Sequence, residues 1–196
     1  GRNTIGGAFK IVTRRPSQDP HGLFQVTAGD YGQLEARVAG SGPLSDTLAG
    51  GIALFGAARD GYVTNPTNGE EYNDRDVGAG RVQLAWNPTS NFSIDFAADY
   101  AEENNALVLG QPVNTLTTLF GVPILVLPAT VPEFNFTATP SPGLPNSTAL
   151  THSGWSANAT WEVTDAFSIR SITAGRELSN TDYVDIDATI RETGDV

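Results

Sequence analysis

Residues 92–100 read Phe92-Ser93-Ile94-Asp95-Phe96-Ala97-Ala98-Asp99-Tyr100, and this stretch decides the fold. Side chains alternate across an extended chain, so Phe92, Ile94, Phe96, Ala98 and Tyr100 share one face. Ser93, Asp95, Ala97 and Asp99 take the other. The same sorting recurs outward in both directions. Val82, Leu84 and Trp86 oppose Arg81, Gln83 and Asn87, and a turn over 87–91 joins them to Phe92. Over 47–59, Leu48, Ile52 and Leu54 oppose Ala49, Gly51, Ala53 and Ala57; Phe55 breaks the pattern on that small-residue side. Leu34, Ala36 and Val38 oppose Gln33, Glu35, Arg37 and Ser41, and Phe24, Val26 and Ala28 alternate with Gln25 and Thr27. Beyond residue 150, Trp155, Ala157, Ala159, Trp161 and Val163 oppose Ser156, Asn158, Thr160 and Glu162. A seventh strand over 167–176 sets Phe167 and Ile169 against Ser168 and Arg170, with Ile172 on the polar side.

The connections follow their own rule. Turns are expected at 42–46 (Gly-Pro-Leu-Ser-Asp), 87–91 (Asn-Pro-Thr-Ser-Asn) and 163–166 (Val-Thr-Asp-Ala), all short and all at one end of the strands. The links at the other end are long: 60–75, 102–150 and 179–196. Only 30–32 (Asp-Tyr-Gly) is short there. Short turns on one side and long loops on the other are the grammar of an outer-membrane β-barrel, and a soluble sandwich has no reason to separate loop lengths by end. Trp86, Phe92, Trp161 and Phe167 all flank the short turns, where an interfacial aromatic girdle would lie.

Composition agrees. Twenty-one Gly and twelve Pro, with few helix-forming runs, point to an all-β chain. No run approaches about 18 consecutive apolar residues, so a membrane-spanning helix is excluded. There are no cysteines, hence no disulfide framework and no thiolate metal site. A net charge of -11 makes nucleic acid an unsuitable partner. The chain opens on Gly1 and stops in an acidic run at Val196, which reads as a piece of something longer.

Residues 1–16, GRNTIGGAFKIVTRRP, carry a second signal. They resemble the closing strand of the plug domain in TonB-dependent receptors of the bacterial outer membrane. That pattern runs Asn-Thr-Ile-Gly-Gly-Ala-x-x-Ile-Val-Thr-Lys/Arg-Arg-Pro, and Asn3 to Ala8 and Ile11 to Pro16 match it. Family-like phrases continue at Gly29-Asp30-Tyr31-Gly32, Gly42-Pro43-Leu44-Ser45-Asp46, Asp60-Gly61-Tyr62, Gly80-Arg81-Val82-Gln83-Leu84 and Arg170-Ser171-Ile172-Thr173-Ala174. The resemblance covers nearly the whole chain outside 105–150.

The resemblance implies the end of a plug domain over 1–16 and the N-terminal part of an antiparallel, up-and-down transmembrane β-barrel over 17–196. The whole would have about 22 strands. It would sit in the outer membrane among lipid and lipopolysaccharide. It would take up a scarce solute (a ferric siderophore, cobalamin or an oligosaccharide) with energy from the TonB complex of the inner membrane. A fragment that cannot close a barrel should transport nothing by itself. Arg14 and Arg15 would lie at the plug–barrel junction and could pair with lumen carboxylates such as Glu35 or Asp95. Glu35, Arg37, Arg81, Asp95, Asp99, Glu102, Glu103 and Asn104 are expected to face the lumen or ligand, with 102–150 as an extracellular loop that touches ligand or gates the mouth.

Other chemistry finds little support. His21 and His152 are far apart in sequence, which speaks against a metal site or a triad. Gly78-Ala79-Gly80 lacks the context of a phosphate loop. The carboxylates over 73–76 and 182–187 miss the calcium-loop pattern and read as solvated loops. No cofactor and no catalytic cluster is expected. Two other classes stay open at this level. One is a secreted all-β carbohydrate-binding module, whose apolar faces would point inward. The other is an enzyme on a β scaffold, which would need a convergent catalytic cluster.

Overall fold

A computed structural model describes residues 13–110, 116–119, 122–127, 133 and 135–185. Eleven strands run along them: β1 (His21–Ala28), β2 (Leu34–Ser45), β3 (Leu48–Arg59), β4 (Val63–Thr64), β5 (Glu71–Tyr72), β6 (Arg75–Thr89), β7 (Phe92–Asn105), β8 (Leu116–Leu119), β9 (Val122–Leu127), β10 (Thr148–Thr164) and β11 (Phe167–Thr181). Seven form one antiparallel sheet in the order β1-β2-β3-β6-β7-β10-β11, every strand beside its sequence neighbour in that series. β4–β5 and β8–β9 are small separate hairpins. The fold is therefore all-β and up-and-down, the arrangement of a partial barrel.

The three short turns shrink to 46–47, 90–91 and 165–166. Each follows a bulge on the incoming strand, at Pro43/Ser45, Trp86/Thr89 and Glu162/Thr164. This corrects two expected turns. Pro43 and Pro88 do not end their strands; they sit in or beside bulges, where a missing N–H leaves no gap in the ladder. At the opposite end Tyr31 and Gly32 both take positive φ (57° and 64°), and Gln33 N donates to Asp30 O at 3.2 Å. Two consecutive positive-φ residues give the hairpin turn whose twist suits the flanking strands.

The strands also run further toward the long-loop end than the alternation alone suggests. β7 continues to Asn105, β10 begins at Thr148 and β11 reaches Thr181, so 102–105, 148–150 and 179–181 are sheet rather than loop. Strands of 14 to 17 residues exceed the 9–11 or so that a tilted bilayer crossing needs. Their upper ends stand clear of the apolar band.

Cross-strand register sorts the side chains. One face carries Phe24, Val38, Ile52, Leu54, Val82, Leu84, Phe96, Tyr100, Trp155, Trp161 and Ile169, all exposed large groups. The other carries every arginine found in a strand: Arg37, Arg59, Arg75, Arg81, Arg170 and Arg176. Its lower half is floored by small buried residues, Ala49 at 3%, Ala85 at 1% and Ala97 at 8% exposure.

The larger buried side chains lie elsewhere. Val63, Tyr72, Leu107 and Leu109 form a small core above the sheet, with Tyr62, Ala138, Leu144 and Tyr183 packed against it. Asn73, at φ 63°, pins this cap. Its side-chain Nδ2 donates to Leu109 O at 3.0 Å and its Oδ1 accepts from Leu109 N at 2.6 Å, so the side chain imitates a backbone ladder. Its own N donates to Leu107 O. Asn146 ties the same parts together, accepting from Leu107 N and donating to Glu71 O. Two expected polar loops, 60–75 and much of 102–150, are thus one packed unit among the described residues.

Candidate functional site on the polar face

Residues 13–16 lie along the arginine-bearing face. Arg15 Nε meets Asp95 Oδ1 at 2.5 Å, and its Nη2 donates to Asn87 Oδ1 at 2.9 Å. Thr13 Oγ1 accepts from Gln83 Nε2 at 3.1 Å and from Arg81 Nη2 at 3.4 Å. Thr13 and Arg15 are two positions apart on an extended chain, so both reach the same wall. Pro16 is buried, and its ring comes within 3.4 Å of where a Cβ on Gly51 would stand. The small floor of β3, β6 and β7 is what lets the segment approach. Arg14 is exposed.

Above this segment two charge clusters occupy the wall. In the first, Arg81 Nη1 donates to Asp99 Oδ1 at 2.9 Å, Arg176 Nη2 reaches the same oxygen at 3.5 Å, and His152 Nδ1 stands 3.6 Å from Asp99 Oδ2. Arg176 Nη1 also contacts His152 Nε2. In the second, Glu35 holds Arg37 at 2.7 Å and Arg75 at 3.4 Å, and both guanidiniums stack on Phe55, 5.2 and 5.7 Å from its centroid.

Of the residues expected on the lumen face, Glu35, Arg37, Arg81, Asp95, Asp99 and Glu103 stand on the polar side. Glu102 and Asn104 do not. Register pairs Glu102 with Gly78 and Thr151, in the rows of the apolar face. There Tyr100 OH donates to Glu102 Oε2 at 2.8 Å and Asn104 Nδ2 donates to Glu102 Oε1 at 2.7 Å. β7 simply keeps its alternation past Tyr100, so Asp99, Ala101 and Glu103 point one way and Tyr100, Glu102 and Asn104 the other. Arg75, His152, Arg176 and Phe55 join the site without having been singled out for it. Parity carried through β11 from Arg170 reaches Arg176, and Phe55 had already declared itself by breaking a pattern. No group of three or more metal-ligating side chains occurs among the described residues.

An antiparallel sheet with an exposed apolar back, a charged front and an N-terminal segment lying against that front has the fold of a partial β-barrel. The comparisons with known proteins show the same resemblance. The crystal structure of the ferric yersiniabactin uptake receptor FyuA from Yersinia pestis superposes with a TM-score of 0.67 at 18% identity, over 87% of this chain and 25% of that one. The pesticin receptors of Yersinia enterocolitica and Yersinia pestis are each 28% identical over 85 residues, 43% of this chain. No family model matches. The chain spans 12% of the length of these curated relatives.

Proposed function

We propose that the chain belongs to an outer-membrane receptor that takes up a scarce solute with TonB-supplied energy, and not to an enzyme. In this reading 1–16 end the plug and 17–196 begin the barrel. One observation carries it: every strand arginine lies on the face that holds residues 13–16, while the opposite face exposes its large apolar side chains. In water that sorting is inverted, because a soluble sandwich hides its apolar face. In lipid it is the stable one, since no unpaired charge then meets hydrocarbon. The same inversion disfavours the secreted carbohydrate-binding module.

Within the receptor class, a ferric siderophore is the solute favoured by the names of the relatives, and the lumen-facing Glu35, Arg37, Arg81, Asp95, Asp99 and Glu103 are the wall it passes. Arg15 and Thr13 anchor the plug's exit to β6 and β7. The loop cap is extracellular and shapes the mouth. The test is fractionation of the full-length protein, followed by uptake of labelled ferric siderophores in cells with and without TonB. Recovery in the outer membrane, heat-modifiable mobility and TonB-dependent uptake are expected. A soluble, detergent-independent protein would end the proposal.

A further inference from the structure

The chain carries a formal charge of -11, yet the upper half of the polar wall is positive. On the strand positions from the row of Gln83 upward, Arg37, Arg59, Arg75, Arg81 and Arg176 face only Glu35, Asp99 and Glu103. Arg59 is turned aside, its Nη2 donating to Asn73 O at 2.5 Å and its guanidinium stacked on Tyr62 at 5.0 Å. The remaining arginines divide into the two clusters described above, each with two guanidiniums on one carboxylate, and Glu103 belongs to neither. Neither cluster neutralises itself. The arginine that closes the first, Arg176, has a side chain 60% exposed and reaches Asp99 only at 3.5 Å.

Between the clusters lies a cavity of about 650 Å³. Its floor is apolar: Ala39, Ala53, Ala79 and Ala101, with Leu23 and Phe55 beside them. Arg37, Arg81 and Arg176 stand on the same lining, together with His152 and one carboxylate, Asp99. An apolar floor beside three guanidiniums and a single carboxylate leaves an excess of positive charge, which suits an anion on an apolar frame. Guanidinium is the donor that takes a carboxylate in a two-pronged grip. A bare, strongly hydrated ion would gain nothing from the alanines and the ring.

We propose, resting on the receptor reading, that this wall is a subsite for a carboxylate or like oxyanion carried on an aromatic or apolar frame, with Arg176 and Arg81 gripping the anion and Phe55 bordering the frame. The solute taken up is then an anionic chelate. Arg81 gives the subsite a second consequence. Its Nη1 holds Asp99 and its Nη2 holds Thr13, so an anion that draws Arg81 toward Arg176 loosens the end of the plug segment.

The probe is 4-fluorobenzoate, with 4-fluorobenzamide as its uncharged isostere and inorganic phosphate as the frameless anion. Each is titrated by fluorine or phosphorus NMR into the full-length protein in detergent. The benzoate should bind with a dissociation constant on the order of 1 mM, as suits so small a ligand. The benzamide and phosphate should each bind at least tenfold more weakly. Arg176→Gln should weaken the benzoate about tenfold, Phe55→Ala somewhat less, and Arg170→Gln, lower on the same wall, not at all. Equal binding of benzoate and benzamide by the wild-type protein overturns the proposal with no variant needed. So does phosphate binding as tightly as benzoate, or an Arg176→Gln protein of normal heat-modifiable mobility with unchanged benzoate affinity. A protein that fractionates to the outer membrane and ignores benzoate refutes the subsite alone; one that never reaches that membrane refutes the receptor reading beneath it.

Discussion

The sheet and the cap solve the same problem in opposite ways. The sheet exposes its large side chains: Phe24 is 74% exposed, Leu54 52% and Trp155 47%. The cap, a fraction of its size, buries Tyr72 to 2% and Leu107 to 1%. A segment folded in water hides apolar surface because water is the poorer solvent for it. The cap obeys that rule. The sheet breaks it mainly on one face, from which every strand arginine is absent; on the arginine-bearing face Leu23, Ile172 and Leu178 are the exposed large apolar groups. On the receptor reading proposed above, one chain then records two solvents. The change falls near the upper ends of β7 and β10, where Glu102 and Asn104 replace apolar groups on the outer face.

Truncation inside the cap should sharpen the contrast most. Tyr72→Ala removes the largest buried side chain and leaves a void among Val63, Leu107 and Leu109. By analogy with other aromatic truncations the local cost is about 3–5 kcal/mol. Hydrogen exchange should show residues 106–109 losing protection while β6 and β7 keep theirs. Parallel loss of protection in the sheet would mean that cap and sheet are one cooperative unit.

The opposite substitution breaks the sheet. Leu84 pairs with Phe96 on the apolar face, above the level of Trp86 and Phe92. Leu84→Arg should cost about 2–4 kcal/mol if that level is the bilayer midplane. The measurement is denaturant unfolding of the full-length protein in lipid vesicles. The same substitution in a face open to water should cost about 0.5 kcal/mol or less, and that result would remove lipid from the account.

The cap should also fail first with pH. Tyr72 OH donates to Glu70 Oε2 at 2.7 Å. Burial, and then this bond, push the Tyr72 hydroxyl up to about 12, while the bonds from Tyr72 and Asn68 lower the carboxyl of Glu70. A raised tyrosine contributes stability below its unfolded value and loses it as pH rises through about 12. A lowered carboxyl contributes above its unfolded value and loses it as pH falls through the folded one. Tyr72→Phe should therefore remove about 1 kcal/mol at neutral pH and flatten both limbs. Exchange at residues 106–109 measured across pH reads this directly; an unchanged acid limb would assign it to another group.

The sheet was legible because period-two alternation is local. Residues 92–100 display it, and the outward copies fix neighbour, order and face. The cap was not, because its decisive contacts span the chain. Asn73 meets Leu109 and Asn146 meets Glu71, and no periodicity links such pairs. Proline misled in a definite way: Pro43 and Pro88 look like strand ends, and bulges let the strands run past them. Glu102 and Asn104 are expected to reach the lumen as the inner shoulder of the long loop, whereas β7 keeps its alternation through them and turns both to the other face. The plug-like motif itself lies mostly outside the described residues; Thr13, Arg15 and Pro16 are the part whose contacts can be read.

Those contacts give the smallest effect and the finest test. Asp95→Asn keeps shape and removes the charge that meets Arg15. The side chains are 47% and 37% exposed, so water screens the pair, and such pairs are worth about 0.2–1 kcal/mol. Asn87 remains as a second acceptor for Arg15, and the introduced amide can still accept through its carbonyl. Folding in the membrane should therefore be unchanged, unlike Leu84→Arg on the other face of the neighbouring strand. What should change is the hold on residues 13–16. A nitroxide label at Ser17 should broaden its distance distribution to a label on β7 when Asp95→Asn is introduced, and Arg15→Gln should do the same. A distribution untouched by either substitution would mean that Pro16 on Gly51 holds the segment alone, and that the ion pair only decorates a steric fit.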